Sequence, residues 1–286
     1  MMSTEINVPK FMSWEQAVHW LRNQPEYREL VLAAYYDDPV LVSAERYRNS
    51  DEWKAVQRLL DGRSGSALDV GAGRGIASYA LAKDGFDVTA LEPDRSTLVG
   101  AGAIRDLAVK SGLTIDVCEE FSECLPFQSN SFDVVFARAV LHHASDLHSA
   151  CAEFYRVLKP GGLFLAAREH VISNKADLSA FYDIHPLHHL YGGENAFLLS
   201  EYKAAIRGGG FSNLQTLSPW HSVINFAPNT PSTLRQAIAG KFGVISPLIK
   251  GLFTIPAFWS FTCSLLSLVD QRPGRLYSFL AYKQAP

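Results

Sequence analysis

Residues 66–75 read Ser66-Ala67-Leu68-Asp69-Val70-Gly71-Ala72-Gly73-Arg74-Gly75, a short apolar run that ends in a glycine-rich turn. An apolar run bounded by glycine is typical of a buried strand, and residues 76–82 place apolar side chains at helical spacing. The segment therefore predicts a strand, a tight turn and a helix. Because glycine has no Cβ atom and accepts positive φ, backbone amides at the start of this helix can approach a ligand closely.

A second apolar run, residues 87–91, ends at Glu92, which lies 21 residues after Gly71. In an open α/β sheet, an acid at the end of the second strand accepts hydrogen bonds from ribose hydroxyls. The spacing Gly71-x-Gly73-x-Gly75 differs from the G-x-G-x-x-G pattern that holds a dinucleotide pyrophosphate. The spacing therefore argues against a dinucleotide site.

Four further segments follow downstream, in the order Leu125-Pro126-Phe127, Ser131-Phe132-Asp133-Val134-Val135, Leu141-His142-His143 and Arg156-Val157-Leu158-Lys159-Pro160-Gly161-Gly162. With the two segments above, they resemble the motifs of the class I S-adenosylmethionine (SAM) methyltransferases, in the branch that acts on small molecules. The resemblance covers about residues 64–168. It implies an α/β fold with a doubly wound, seven-stranded Rossmann-like sheet, mostly parallel with an antiparallel last strand, and SAM as cofactor.

The resemblance also assigns roles around the cofactor. It implies that the amides of Gly71, Gly73 and Gly75 face the methionine portion of SAM. Asp69 would orient this loop and the amino group of the cofactor, and Glu92 would bind the ribose diol.

For the adenine ring, the family places an acid and an apolar neighbour just before the Leu-Pro-Phe motif. Glu119, Glu120 and Phe121 hold that place, and Phe121 is expected to pack on the ring. Which glutamate faces the adenine amine stays open, because the segment is one residue longer than the commonest pattern. Arg138 follows the fourth predicted strand, at the end that opens into the crevice.

Composition narrows the class of partner. The chain has 286 residues, 48% of them hydrophobic, and a net charge of −3, so it lacks the basic footprint of a nucleic-acid-binding protein. The four cysteines form no C-x-x-C pair, which argues against a disulfide framework or a zinc module. The first fourteen residues show no secretory signal. We therefore expect a cytoplasmic protein without a nucleic-acid partner.

The pattern divides the chain into an N-terminal helical extension or lid (1–62), the SAM-binding core (63–219), an apolar helical insertion (220–274) and the last core strand (275–286). In the extension, helices are predicted over 14–22 with a Ser13/Gln16 capping box, over 25–36, and from 49 or 50 to about 60. Its dense aromatic residues either pack the helices onto the sheet or cover the acceptor pocket. Tyr47, in the loop-like segment 46–49, is the best candidate for a lid residue that touches ligand.

In the core, strands and helices alternate, which implies right-handed crossovers and a parallel sheet. Asp94 and Asp146 are predicted to cap the helices that follow the second and fourth strands. Strands are expected over 66–70, 87–91, 113–117, 132–137, 163–167, 212–217 and 275–282, the last as an antiparallel edge strand.

The insertion contains 18 uncharged residues, 252–269, interrupted by Pro256. Lid or dimer-interface helices are favoured over a monotopic membrane contact through 244–269, and that contact over a true membrane span, which needs about 20 apolar residues. A homodimer and peripheral membrane association therefore both stay open.

On the acceptor side, a protein base is needed only if the acceptor atom carries a proton. His170 follows the fifth predicted strand, and His185 and His188 lie in a histidine-rich segment, so these three are candidates for a base or an acceptor contact. His142, by contrast, is expected to pack beside the cofactor.

The histidines and Glu169 and Glu194 would suit a Zn or Fe ion. However, Pro186 between His185 and His188 argues against a helical i, i+4 ligand pair, and no established ligand motif is present. We therefore expect no metal site.

These observations predict an enzyme that transfers a methyl group from SAM to a small or amphipathic molecule, most simply at oxygen. The apolar insertion makes a lipid-like acceptor reasonable. Two alternatives remain: a SAM-binding protein that uses the cofactor for chemistry other than methylation, and a noncatalytic module that binds a partner.

Overall fold

The computed structural model describes residues 12–285, and within them eight strands form one sheet. The strands are β1 (Gly65–Val70), β2 (Phe86–Leu91), β3 (Ile115–Cys118), β4 (Phe132–Arg138), β5 (Leu158–Ile172), β6 (Phe197–Leu198), β7 (Asn213–Leu217) and β8 (Arg275–Tyr282). The order is β3-β2-β1-β4-β5-β8-β7, with the short β6 paired to β5. The predicted doubly wound, mostly parallel sheet is confirmed, with β6 as an additional strand.

Strand β8 is antiparallel, as predicted, but it is not an edge strand. It pairs with β5 on one side and with β7 on the other, so β7 lies at the edge. The reason is burial: the side chains of residues 277–281 are all buried, on both faces of the sheet, whereas β7 carries the exposed Asn213 and Gln215. Polar residues are better tolerated at an edge than in a central strand.

Successive residues of the central strands enter opposite apolar layers. On β4, Val134 and Phe136 pack with the helices that include Trp53 and Ala77, while Val135 and Ala137 pack in the layer on the other face. Because side chains alternate along a strand, a strand buried on both faces must be apolar at nearly every position. This burial explains the unbroken apolar runs in the sequence.

The register of the parallel strands brings three sequence motifs to one edge. Val70 at the end of β1 pairs with Leu91 of β2 and with Ala137 of β4. The residues that follow these strand ends therefore emerge side by side, where the strand order reverses between β1 and β4. In open α/β sheets, ligands bind at this position.

The N-terminal extension folds into α1 (Trp14–Arg22), a 3-10 turn at Pro25–Tyr27, α2 (Arg28–Ala33), α3 (Val40–Arg48) and α4 (Asp51–Leu60). The Ser13/Gln16 capping box is confirmed, and the Ser50 hydroxyl accepts a bond from the Trp53 amide at the start of α4. The predicted helix over 25–36 is shorter, because it ends at Ala33 before Tyr35 adopts φ 60°.

The placement of Tyr47 was wrong. The segment 46–49 is not a loop: Tyr47 lies on α3 and is fully buried, with its ring 5.2 Å from that of Tyr35 and 5.4 Å from that of Trp53. It packs the extension onto the sheet and does not line the cavity described below.

The core helices are α5 (Ile76–Lys83), α6 (Ala101–Ser111), α7 (Leu147–Val157), α8 (Asp177–Ile184), α9 (His188–Tyr191) and α10 (Leu199–Gly208). Asp146 caps α7 as predicted, accepting bonds from the amides of His148 and Ser149. Asp94 does not cap a helix. Its side chain accepts a bond from the Ser96 amide in a turn, and α6 begins only at Ala101.

The insertion contains α11 (Val223–Phe226), α12 (Pro231–Gly240), α13 (Ser246–Leu252) and α14 (Pro256–Val269). Only Cys263 of α14 is buried, and large apolar side chains in and around these helices are exposed: Phe242, Val244, Ile245, Leu248, Ile255, Phe261, Leu265, Leu268 and Val269. Among the described residues, no single helix has the length and apolarity to cross a membrane. The required length and apolarity are met only by two segments taken together, Gly243–Leu252 and Pro256–Val269, and these are bent by 119° relative to each other.

Candidate functional site

A cavity of about 600 Å³ opens at the carboxyl ends of the parallel strands. Its walls include the glycine-rich turn after β1, Glu92 after β2 and Arg138 at the end of β4. Four histidines and Glu194 line the same cavity. No residue from 220–274 lines it. The volume lies within the usual range for small-molecule and cofactor sites.

The glycine-rich turn requires glycine for its backbone conformation at residues 71 and 73, and at Gly71 also for close packing. Gly71 has φ 58°, and a Cβ atom added there would lie 2.6 Å from the Val140 side chain. Gly73 has φ 56°, and a Cβ atom added there would lie 3.5 Å from the indole of Trp14. Both glycines line the cavity. Gly75 does not: it precedes α5 with φ 79° and packs against Ile104.

Two buried carboxylates flank the turn. Glu92 accepts bonds from the amides of Gly73, at 2.7 Å, and Asp94, at 2.9 Å. Asp69 accepts a 2.6 Å bond from the Ser78 hydroxyl. Burial raises the pKa of each carboxyl to about 7, against the hydrogen bonds that favour its ionised form. Since a carboxylate oxygen has two lone pairs, Glu92 keeps acceptor capacity for a ligand.

The two adjacent glutamates of the predicted adenine segment separate in the structure. Glu119 does not line the cavity, because it forms ion pairs with Arg95 at 2.7 Å and Arg105 at 2.6 Å. Glu120 and Phe121 do line it, and the Phe121 side chain is largely exposed. The geometry therefore favours Glu120 over Glu119 on this side of the cavity.

Arg138 lines the cavity, but its guanidinium is already held by Glu52 of α4, with bonds of 2.6 and 3.0 Å. It also lies over the rings of Tyr35 and Tyr47. Although burial opposes it, Glu52 raises the pKa of Arg138 further above its ordinary value. Arg138 thus ties the N-terminal extension to the sheet beside the site.

The extension covers part of the cavity with residues that the sequence did not single out. Trp14, Tyr35 and Tyr36 line it, and the Trp14 indole donates a 3.2 Å bond to the Tyr36 hydroxyl. The aromatic density of this region was the available signal. It did not distinguish rings that face the cavity from rings that pack the core, such as Tyr47.

On the other side, Glu194 is the centre of a histidine cluster. Its Oε2 lies 3.5 Å from His142 Nε2 and 3.9 Å from the Nε2 atoms of both His143 and His185. Its Oε1 accepts a 2.5 Å bond from the Tyr191 hydroxyl. The ring of His170 is 4.7 Å from that of His142 and 5.1 Å from that of His185. All four histidines line the cavity.

The strand β5 explains how the cluster is held. Its pairing with β8 shifts register between Ala166 and Glu169, and Arg168 there adopts φ 62°. Such irregularities re-aim side chains near functional sites. Glu169, fully buried, accepts bonds from the amides of Val140, Leu141 and His142 and from His142 Nδ1 at 2.8 Å.

Two more imidazoles are oriented by backbone carbonyls. His143 Nδ1 lies 3.0 Å from the Gly193 oxygen, and His170 Nδ1 lies 3.0 Å from the Gly274 oxygen. A carbonyl oxygen can only accept a hydrogen bond, so these Nδ1 atoms carry the proton. The Nε2 atoms of both neutral rings therefore present lone pairs.

The charge states in the cluster differ by environment. Burial lowers the pKa of His143 to about 4, and it holds the pKa of His170 well below the ordinary value, with the charge on His142 adding to both effects. For His142, burial is outweighed by its bonds to Glu169 and Glu194, which raise its pKa to about 9. Near pH 7, His142 is cationic while His143 and His170 are neutral.

Of the three histidines predicted for the acceptor side, the structure brings two into the cavity. His170 and His185 line it, whereas His188 does not and instead stacks on Tyr182 with ring centroids 3.9 Å apart. His188 begins α9 and is not among the residues that line the cavity. His143, Glu169, Glu194 and Arg168 are cavity or supporting residues whose place the sequence spacing did not reveal.

Comparison with known proteins points to one family. Residues 68–166 match the family described as methyltransferase domain. A ubiquinone biosynthesis O-methyltransferase of Methylobacterium nodulans is 35% identical over 102 residues, which are 36% of this chain and 40% of the relative. A ubiquinone/menaquinone biosynthesis C-methyltransferase of Brucella abortus is 35% identical over 105 residues, which are 35% of this chain and 38% of the relative. The chain thus matches about two fifths of the length of these relatives.

A solved structure extends the similarity to nearly the whole chain at the level of fold. The phosphoethanolamine N-methyltransferase 2 of Haemonchus contortus, in complex with phosphomonomethylethanolamine and S-adenosylhomocysteine, has a TM-score of 0.56. It is 18% identical, and the alignment covers 97% of this chain and 61% of that one. The sequence match over residues 68–166, on this doubly wound sheet, supports a class I S-adenosylmethionine-dependent methyltransferase.

Proposed function

We propose that this protein transfers a methyl group from SAM to the oxygen of a small, amphipathic acceptor. The observation that carries the proposal is that one cavity is lined both by the glycine-rich turn with Asp69 and Glu92 and by the histidine cluster around Glu194. A donor site and a set of proton-accepting groups thus lie within a single enclosure. Holding two reactants in one geometry supplies much of the rate of a displacement reaction.

On the donor side, the residues fit the cofactor in shape and chemistry. Gly71 and Gly73 line the cavity without side chains, so the methionine portion can approach the turn closely, while the Gly73 amide is bonded to Glu92. Glu92 can accept bonds from the ribose hydroxyls, and Phe121 offers an apolar face to the adenine. When bound, SAM supplies an electrophilic methyl group on its sulfonium.

On the acceptor side, the protein would position a hydroxyl and remove its proton. His170 is neutral near pH 7, and its Nδ1 is tied to the Gly274 oxygen, so its Nε2 can accept a proton. His185 stands beside it, with ring centroids 5.1 Å apart. A proton on His185 would be stabilised by the nearby Glu194 carboxylate.

The amphipathic class of acceptor rests on two observations. Proteins described as ubiquinone biosynthesis O-methyltransferase and as ubiquinone/menaquinone biosynthesis C-methyltransferase are among the relatives. In addition, the insertion exposes large apolar side chains on α13 and α14, of which Val244, next to α13, is 97% and Leu268 80% exposed. We propose that these helices rest on a lipid bilayer surface, where a lipid-like acceptor would be found.

Incubation with SAM carrying a labelled methyl group and a lipid extract tests the reaction. We expect label in an acceptor that is recovered in the organic phase, as an alkali-stable methyl ether. A product methylated at carbon would show that the proposed acceptor atom is wrong while the proposed methyl transfer is right. Breakdown of SAM without a methylated product would favour non-methylation chemistry. If the protein binds SAM but neither methylates an acceptor nor breaks SAM down, the noncatalytic module is favoured.

Liposome flotation tests the membrane contact. We expect the wild type to float with anionic and neutral vesicles, and a Phe261→Ser, Leu265→Ser, Leu268→Ser variant to remain in solution with unchanged binding of S-adenosylhomocysteine (SAH). If the wild type does not float but the triple variant changes a dimer to a monomer by light scattering, the exposed face is a subunit interface and the membrane proposal is wrong.

A further inference from the structure

The histidine cluster can also bind a metal ion, a capacity that methyl transfer does not itself require. We propose that Glu194 and the imidazoles around it bind one divalent ion of the first transition series. Two groups of three ligand atoms share this glutamate, namely His142, His143 and Glu194, and His170, His185 and Glu194. Within each group the atoms lie within 4.8 Å of one another. A small inward movement of the side chains would bring them to bonding distance of a shared ion.

The orientation of the rings supports this inference. A histidine that ligates a metal usually donates its other ring N–H to a carboxylate or a backbone carbonyl, which fixes its tautomer and direction. His142 Nδ1 is bonded to Glu169, His143 Nδ1 to the Gly193 oxygen, and His170 Nδ1 to the Gly274 oxygen. Their Nε2 atoms therefore point away from these anchors. The Nε2 atoms of His142 and His143 converge on Glu194 Oε2, and an ion bound there would displace the proton that His142 Nε2 carries in the free protein.

The donor set indicates the class of ion. Several imidazole nitrogens with one carboxylate oxygen suit Zn²⁺, Fe²⁺ or Co²⁺, whereas Mg²⁺ prefers oxygen ligands and retains its water. The second oxygen of Glu194 is held by the Tyr191 hydroxyl at 2.5 Å, so Oε2, which faces three imidazoles, is the oxygen placed to bind an ion. Because the cluster lines the cavity, an ion there would keep a coordination position open to a bound molecule.

This inference reverses the expectation from the sequence, which rested on the spacing of His185, Pro186 and His188. His188 lies outside the cluster, and the ligands come from four separate segments: the turn after β4, the strand β5, the residue after α8 and the loop after α9. A ligand set of this kind has no fixed spacing along the chain. Only the fold brings it together.

Metal binding is tested on the protein alone, without SAM or acceptor. We treat the purified chain with a chelator, remove the chelator, and titrate with Zn²⁺ by calorimetry and with Co²⁺ by visible absorption. We expect one ion per chain, ligand-field bands of Co²⁺ bound by nitrogen and oxygen, displacement of Co²⁺ by Zn²⁺, and no heat of binding with Mg²⁺. Elemental analysis of the dialysed complex confirms the stoichiometry.

Variants locate the ion. Glu194→Gln and the His143→Asn, His170→Asn double variant should each weaken Zn²⁺ binding by more than about a hundredfold, since they remove direct ligands. Glu169→Gln, at a residue that orients His142 without being a ligand itself, should weaken Zn²⁺ binding by about 10–100-fold without abolishing the Co²⁺ bands. His148→Asn and His189→Asn, at exposed positions outside the cluster, should bind as the wild type does. Circular dichroism and SAH binding verify that each variant is folded.

If Glu194→Gln does not fold, His143→Asn alone serves, because this side chain is 37% exposed and its loss is easily accommodated. The proposal is overturned if the wild type binds neither Zn²⁺ nor Co²⁺, since the cluster is then a hydrogen-bonded acid–base network only. It is also overturned if the cluster variants bind as tightly as the wild type, because the ion would then lie on surface histidines. Neither result bears on SAM binding. An ion bound by His170 would occupy the Nε2 atom that the proposed base uses, so methyl transfer is assayed on both the metal-free and the metal-loaded protein.

Discussion

The two sides of the cavity are built in different ways. The donor side uses short contiguous motifs, Gly71 with Gly73 and then Glu92, which parallel strands in register deliver to one edge. The acceptor side gathers His142, His170 and Glu194 from segments far apart in the chain and depends on an irregular strand for its orientation. The first arrangement can be read from spacing along the chain. The second exists only after folding, and it is where a protein of this fold can differ from its relatives.

The largest effect that separates the two sides is expected at His170. Replacing it with asparagine removes the proton-accepting Nε2 and should lower the rate of methyl transfer about 10²–10⁴-fold. SAH affinity should not change, because the glycine turn and Glu92 are intact. The rate is measured with labelled SAM and the acceptor from the extract assay, and affinity by calorimetry, with His189→Asn as a surface control. An equal loss in rate and SAH affinity would mean that the two sides are not separable.

The converse change is made on the donor side. Asp69→Ala with Glu92→Ala removes two charged acceptors, each worth about 1.5–3 kcal/mol in a hydrogen bond to a charged group, so SAH affinity should fall at least about a hundredfold. Calorimetry measures the affinity, and the Asp116→Ala variant, exposed on β3, is the matched control. If the double variant bound SAH as tightly as the wild type, these two carboxylates would not be part of the SAH site. Thermal unfolding shows whether the variants remain folded.

A smaller effect is expected in how SAH affinity on the donor side depends on pH. The pKa of Glu92 is raised by burial to about 7, with Asp94 and Asp69 nearby adding to the rise. As the pH falls through 7, the free protein takes up a proton on Glu92, and the neutral carboxyl accepts ribose hydrogen bonds less well. SAH affinity should therefore be full above about pH 8 and should fall by up to about tenfold for each pH unit below about 7 for one proton.

The Glu92→Gln variant identifies the group responsible. Its SAH affinity should be lower at pH 8, and SAH binding should be linked to one proton fewer than in the wild type. The remaining dependence on pH should come from Asp69, whose pKa is also raised to about 7. Calorimetry between pH 5.5 and 8.5 in buffers of different ionisation enthalpy counts the protons directly. An unchanged dependence on pH would assign it to another group.

The sequence predicts the donor side of the cavity better than the acceptor side. The strands around Gly71, Glu92 and Arg138 were foreseen, because burial on both faces and tight turns leave strong local patterns. The interior position of β8 and the helix that carries Tyr47 were not, because both depend on packing between segments far apart in the chain. The residues around Glu194 were noticed individually, but their common centre depends on a register shift that has no sequence signature.

Sequence rules were also ambiguous where the same residue type is compatible with two different local structures. Asp94 follows the sequence rule for a helix cap, yet its side chain closes a turn well before α6 begins at Ala101. Glu119 and Glu120 are neighbours with the same chemistry, and only the ion pairs of Glu119 with Arg95 and Arg105 turn it away from the cavity. In both cases a competing partner decided the outcome.

An experimental structure with SAH bound would decide whether one cavity joins the methyl donor to the acceptor side. We expect the ribose on Glu92, the methionine portion on the amides near Gly71 and Gly73, and the sulfur facing the side of the cavity that holds His170 and Glu194. A ribose bound away from Glu92, or a sulfur closed off from the histidine cluster by protein, would contradict the proposal that donor and acceptor meet in this cavity.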